Sequence, residues 1–251
     1  MLKLITPTWS APSHIKAFST TRISGESVGV YKGLNLGLHV QDNASVVIKN
    51  RGLLSNHLSL KTPFCWLTQT HSTLLLKINN QTAQAIEADA AWTELSEQVC
   101  VVMTADCLPL LITDKQGRFV TAIHAGWRGL CDGIIEKTVN TICNELMILS
   151  SDLLVWLGPC IGKNAFEVGS EVRDEFMKHD NKSDQAFTVY QDRYLADLHQ
   201  LARLRLAQFN VAEISASQHC TFSEPDLFYS YRRDGKTGRM ATLIYIQALK
   251  V

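Results

Sequence analysis

Apolar and polar positions alternate along this chain in two different rhythms. Short, nearly continuous apolar runs recur at Phe64 to Thr68, Val99 to Thr104, Leu108 to Thr113, Phe119 to His124, Leu153 to Leu157, Glu213 to Ala216 and Met240 to Ile246. Runs of this length with apolar residues at successive positions predict strands covered on both faces. Helical spacing appears between them. From Gly129 to Met147 the positions Leu130, Ile134, Val139, Ile142 and Leu146 fall on one stripe. Asp192 to Phe209 repeats this with Leu195, Leu198, Ala202 and Phe209, and a third helix is predicted over Val168 to His179. Three strand-like segments between Val99 and His124, joined by short turns, predict hairpins and a mixed or antiparallel sheet. The expected fold class is α/β (α+β): a single domain over residues 1–251, with layered mixed sheets and flanking helices.

Composition narrows the function classes. The 251 residues carry 24 Lys plus Arg against 24 Asp plus Glu, and only 19% are charged. No excess positive field is available to condense onto a phosphate backbone, so a nucleic-acid polymer is disfavoured as partner while small anions are not. The longest apolar stretches fall far below the about 20 residues that cross a bilayer, and the first residues lack a signal-peptide pattern. The expectation is a cytoplasmic protein with no membrane partner, acting as a monomer. Seven cysteines, odd in number and without a C-x-x-C pair, argue against a disulfide framework or a ribbon-type zinc site.

Three polar insertions interrupt the apolar runs: QTHS (Gln69 to Ser72), TADC (Thr104 to Cys107) and HAGWRG (His124 to Gly129). Each places a soft or borderline metal ligand at the end of a predicted strand, namely His71, Cys107 and His124. Two imidazoles and a thiolate suit a tetrahedral zinc with one open position. Their separations of 36 and 17 residues match no local metal template, and each residue taken alone reads equally as a hydrogen-bonded loop histidine or a core cysteine. Arginines form a second constellation: Arg22, Arg51, Arg128, Arg232, Arg233 and Arg239. Beside glycines such guanidinium forks suit phosphate or carboxylate, although turn arginines also pair with nearby acids. Arg128 is the strongest anion candidate, since it opens a predicted helix four residues after His124. Asp106 and Asp89 are candidates for a general acid or base, or for a carboxylate that orients a ligand histidine. Trp66, Trp92 and Trp127 lie near the motifs and could stack on a planar base or pack in the core.

Taken in order, FSTTR, LNLG followed by HV, QTHS, TADCLPLLI, HAGWRGL, GPCIG followed by FEVG, and SYRRDGKTGRMA resemble the YfiH, or laccase-domain, family of bacterial proteins, over residues 18 to 246. The resemblance implies a layered α/β fold shared with cysteine hydrolases of the cytotoxic-necrotizing-factor type. It also implies a metal held by His71, Cys107 and His124. The implied activity is phosphorolysis of adenosine, inosine, guanosine or methylthioadenosine to free base and ribose 1-phosphate, with deamination of adenosine beside it. The chain departs from the family pattern at Ser24-Gly25, Val30 and Gln41 in the N-terminal loop, which bears on substrate preference.

Three chemistries fit such a site. A zinc-dependent purine nucleoside phosphorylase and deaminase would use His71, Cys107, His124 and Asp106 catalytically, and Arg128 with Arg22, Arg232 and Arg233 as the phosphate clamp. A copper-dependent polyphenol oxidase could place one copper on the same ligands with Met103 axial, but eight scattered histidines without an H-x-H pair do not build a multicopper centre. A metal-free hydrolase or amidase, as in editing of peptidoglycan precursors, would use Cys107 as nucleophile and His124 as base. Cys160 in the GPCIG turn approaches the site on this reading, and the other five cysteines are buried hydrophobes.

Overall fold

A computed structural model describes residues 2–248 except 63, 80, 81, 83 and 84. Two sheets stack face to face. The first has the order β1 (Leu4–Ile5), β2 (Ile15–Thr20), β14 (Met240–Ile246), β6 (Cys100–Thr104), β3 (Cys65–Trp66). The second runs β13 (Glu213–Ala216), β9 (Leu153–Leu157), β7 (Leu108–Asp114), β8 (Val120–Ala125), β5 (Ala90–Thr93), β4 (Leu75–Lys77). A small third sheet joins β10 (Glu167–Val168), β12 (Arg193–Ala196) and β11 (Phe187–Tyr190). Pairs β3/β6, β4/β5 and β9/β13 are parallel and the other ladders antiparallel, so both large sheets are mixed.

The continuous apolar runs are explained by burial on two faces. In β7, Leu111 points between the sheets, where it meets Cys100, Val102 and Ile244 of the first sheet and Ala91, Ala122 and Trp156 of the second. Its neighbours Leu110 and Ile112 point the other way, against helices α3 (Ile134–Leu146), α4 (Ser170–His179) and α5 (Leu198–Ala207). On the opposite side of the molecule Leu54 of α1 (Ala44–His57) covers Val101, Leu243 and Tyr245 of the first sheet. The result is a layered α/β arrangement with helices outside and strands inside. No helix among the described residues is long and apolar enough to cross a membrane.

Several expectations are corrected. The stretch from Val99 to His124 contains one hairpin, β7/β8, rather than two; between β6 and β7 the chain passes from one sheet into the other. The helix expected over Gly129 to Met147 is divided into α2 (Trp127–Cys131) and α3, because Gly133 takes a left-handed conformation with φ of 88°. The segment from Asp192 begins as β12 and turns helical only after Asp197, whose side chain accepts a hydrogen bond from the Gln200 amide at 3.0 Å. Helix α1 escaped the periodicity reading because ASVVIKNRGLLSNH spreads its apolar residues around the cylinder.

Candidate metal centre and cavity

Everything in the site hangs from the carboxy-terminal ends of β3, β6 and β8. Gln69 anchors the QTHS loop by imitating a strand neighbour: its Nε2 donates to the Met103 carbonyl at 2.8 Å and its Oε1 accepts from the Met103 amide at 2.7 Å. The loop then wraps around Asp89, which immediately precedes β5. One carboxylate oxygen accepts from the Thr70 amide at 3.1 Å and from the Ser72 amide and hydroxyl, each at 2.7 Å. The other accepts from the His71 amide at 3.1 Å and from His124 Nδ1 at 2.7 Å. Asp89 is fully buried, and burial opposes its ionisation. His124 and Ser72 overcome that and hold its pKa down at about 2. An ionised carboxylate only accepts, so Nδ1 of His124 carries the proton and Nε2 is left to face the site.

Cys107 arrives from the turn between the two sheets. Asp106 there has φ of 95°, a left-handed backbone that a non-glycine residue adopts only when its surroundings fix it. What fixes it is its own side chain, which accepts from the Thr221 hydroxyl at 2.6 Å, the Ser230 hydroxyl at 3.0 Å and the Arg232 amide at 2.7 Å. His71 also has positive φ, at 62°, held by the Asp89 cluster.

The three ligand atoms of His71, Cys107 and His124 lie within 4.8 Å of one another, and the Cys107 sulfur stands 3.8 Å from His71 Nε2. Zinc bonds of about 2.3 Å to sulfur and 2.0–2.1 Å to nitrogen at a tetrahedral angle place such a pair about 3.6 Å apart, so Cys107 and His71 already stand at the spacing a shared metal requires and the donor set suits one. Gly126 completes the cradle. A Cβ there would stand 2.5 Å from His71 Cδ2 and 3.2 Å from the Cys107 sulfur. Without a metal the cluster is polarised: burial works against a charged thiol, but His124 and His71 draw the Cys107 thiol below its usual range, while Cys107 and Asp89 push His124 above its own.

The cluster opens into a cavity of about 460 Å³ whose wall also includes His39, Gln69, Met103, Arg128, Tyr231 and Arg239. Arg128 lies against the Trp127 ring, 4.4 Å from its centre. The other arginines of the expected clamp lie elsewhere in the fold. Arg22 stacks on Tyr229 and donates to the Lys32 and Pro225 carbonyls. Arg233 is spent on the Thr221, Phe222 and Phe228 carbonyls, and Arg232 on Glu167. Neither they nor Arg22 line the cavity; Arg239, which was noticed only as part of a basic cluster, does. Asp106 is engaged by three donors and lies outside the cavity wall. Met103 has its sulfur occupied by an Arg51 N–H at 3.8 Å. Among the aromatics, Trp92 is buried core, and the ring in the wall is Tyr231. Cys160 is buried and pairs through its backbone with Cys220. His39 and Tyr231 carried no signal in the sequence beyond membership of quoted motifs.

Known proteins resemble this chain along nearly its whole length. Residues 16–247 match the family model described as multi-copper polyphenol oxidoreductase laccase. The chain is 46% identical to the purine nucleoside phosphorylase YfiH of Escherichia coli, over 98% of this chain and all of that protein. It is 45% identical to a purine nucleoside phosphorylase of Haemophilus influenzae over the same shares. A crystal structure of a Neisseria meningitidis protein superposes with a TM-score of 0.92 at 40% identity, covering 98% of this chain and 99% of that one. YlmD from Geobacillus stearothermophilus gives 0.87 at 31%, covering 94% and 93%. With its residues 16–247 matched to that model and relatives of this similarity along nearly the whole chain, the protein belongs to the laccase-domain, or YfiH, family.

Proposed function

We propose that this protein is a zinc-dependent purine nucleoside phosphorylase: it takes a purine nucleoside and inorganic phosphate to the free base and ribose 1-phosphate. The observation that carries the reading is a single cavity that combines a His/Cys/His donor set with two arginines, Arg128 and Arg239. The names of the relatives support the same reaction. His71, Cys107 and His124 would hold the zinc, which would supply Lewis acidity and activation of water, the chemistry that adenosine deamination also requires.

The chain's own residues account for binding and orientation. Arg128 and Arg239 present guanidinium groups to the attacking phosphate and hold it against the sugar. Tyr231 offers a ring on which a flat base can stack. Asp89 holds the His124 ring in one orientation, and Asp106 holds the Cys107 turn; both are positioning residues. A true multicopper oxidase is a poor match, because the described residues hold two groups of metal-ligand type in all, and neither contains more than two histidines. Phosphate-dependent release of hypoxanthine from inosine, measured beside the metal content, tests the proposal. Cys107→Ala is expected to lose the metal of this site together with the activity. Full activity in stripped, metal-free protein would overturn it.

One arrangement favours a second reading. Asp89, His124 and Cys107 follow one another as carboxylate, imidazole and thiol, the order used to activate a nucleophilic cysteine. A hydrolase of that kind gains activity when metal is removed, whereas the phosphorylase loses it, so one chelation experiment separates the two.

A further inference from the structure

A second convergence of ligands lies outside the cavity, where the ends of two helices meet. Cys131 closes α2, Asp132 caps it, and His179 is the last residue of α4. Their ligand atoms lie within 4.8 Å of one another. We infer that Cys131, Asp132 and His179 form a second divalent-metal site, of the type that zinc occupies.

Three features of the cluster carry the inference. First, the donors are one sulfur, one imidazole nitrogen and one carboxylate oxygen, the ligand types zinc accepts, and a separation of about 3.3–3.7 Å between them is what tetrahedral zinc imposes. Asp132 and His179 are exposed and can close the remaining distance by rotation. Second, those two side chains are unspent: neither makes a hydrogen bond or an ion pair among the described residues, in contrast to Asp89 and Asp106. Third, the helices that carry the donors pack against one another, and Glu175, one turn before His179, has its carboxylate on Lys178 at 2.6 Å, so the donor set is the three named residues. The nearby Arg205 donates to the Cys131 carbonyl at 2.9 Å, and its own charge is offset by Glu136 at 3.1 Å. A cation bridging the three donors clips the end of α2 to the end of α4. Since α2 begins with Trp127 and Arg128, the clip also braces the helix that carries an arginine of the cavity wall.

The test is metal counting on the full chain, stripped with a chelator, reloaded with zinc chloride and desalted. Two zinc ions per chain are expected in the unmodified protein, one in Cys107→Ala and one in the double variant Asp132→Asn/His179→Ala. Combining all three substitutions should leave none. His71→Ala gives the same count as Cys107→Ala and guards against a folding defect in either. In the Cys107→Ala background, cobalt(II) should produce a thiolate-to-metal absorption band that Cys131→Ser removes, and His179→Ala should weaken zinc binding about tenfold or more. Failure of Cys107→Ala to retain any zinc, retention of two ions by Asp132→Asn/His179→Ala, or absence of the cobalt–thiolate band would each overturn the inference. None of these counts depends on which reaction the cavity performs.

Discussion

Two buried aspartates organise the cavity end of the molecule, and they do it differently. Asp89 gathers five donors, four from the QTHS loop and one from the ring of His124, so its charge reaches a residue of the candidate metal centre directly. Asp106 gathers three donors from the C-terminal loops and touches no ligand side chain; it acts through the peptide that precedes Cys107. The same contrast separates the arginines. Arg233 and Arg22 spend their donors on backbone carbonyls and stand outside the cavity, whereas Arg128 lines it. Arg239 lines it too, although one of its nitrogens donates to the Thr237 and Gly238 carbonyls. A charged residue in a recognisable motif is therefore not yet a functional residue. Where it stands, and how many of its donors are already committed, decide whether it can serve a ligand.

The comparison can be broken at its strongest point first. Asp89→Ala should remove the zinc of the cavity site and destabilise the fold by about 3–5 kcal/mol, because it strands His124 and several amides in a buried place; urea denaturation and the drop in metal content by one ion read both. Asp106→Asn should cost about 2–4 kcal/mol in the same denaturation, yet keep the zinc content of the unmodified protein. Loss of metal from Asp106→Asn at undiminished stability would erase the distinction between the two aspartates. Gly126→Ala keeps all three ligand residues but forces His71 to shift, because the added methyl would stand 2.5 Å from its ring. Zinc affinity should fall about tenfold in a chelator competition, with a smaller change in melting temperature. The arginines give the finest contrast. Arg128→Ala should raise the KM for phosphate about tenfold while adenosine deamination changes less, whereas Arg233→Ala should lower stability by about 1–3 kcal/mol and leave that KM unaltered. Equal effects of the two substitutions on phosphate would mean that the GWRG turn only shapes the protein.

Much of this was legible from local pattern. The strands with continuous apolar runs, β7, β9 and β14, stand where the hydrophobic rhythm put them, because burial on two faces leaves no room for polar positions. The three ligands were visible as polar interruptions of such runs. Which sheet each run joins was not visible, since the crossing between β6 and β7 uses a turn as short as a hairpin's and is decided by Asp106 reaching Thr221 and Ser230, over 100 residues away. The arginines expected to form one clamp are divided for the same reason, Arg128 in the cavity wall and Arg22, Arg232 and Arg233 outside it. Spacing reports a guanidinium near glycines, but only tertiary contacts report that Arg232 and Arg233 already have partners. Asp89 reads in the sequence as a general acid or base or as an orienting carboxylate, and only the fold of the QTHS loop around it gives it five donors.

That crossing turn also constrains when the site can exist. The Cys107 peptide is braced by residues 221, 230 and 232, and β6, which leads into it, pairs with β14 at Met240 to Ile244. A chain emerging from the ribosome carries His71, Cys107 and His124 long before it carries any of these braces. Contacts of such sequence separation form slowly. The three donor side chains are thus synthesised early, and their arrangement waits for residues 221 to 244 to be made and paired.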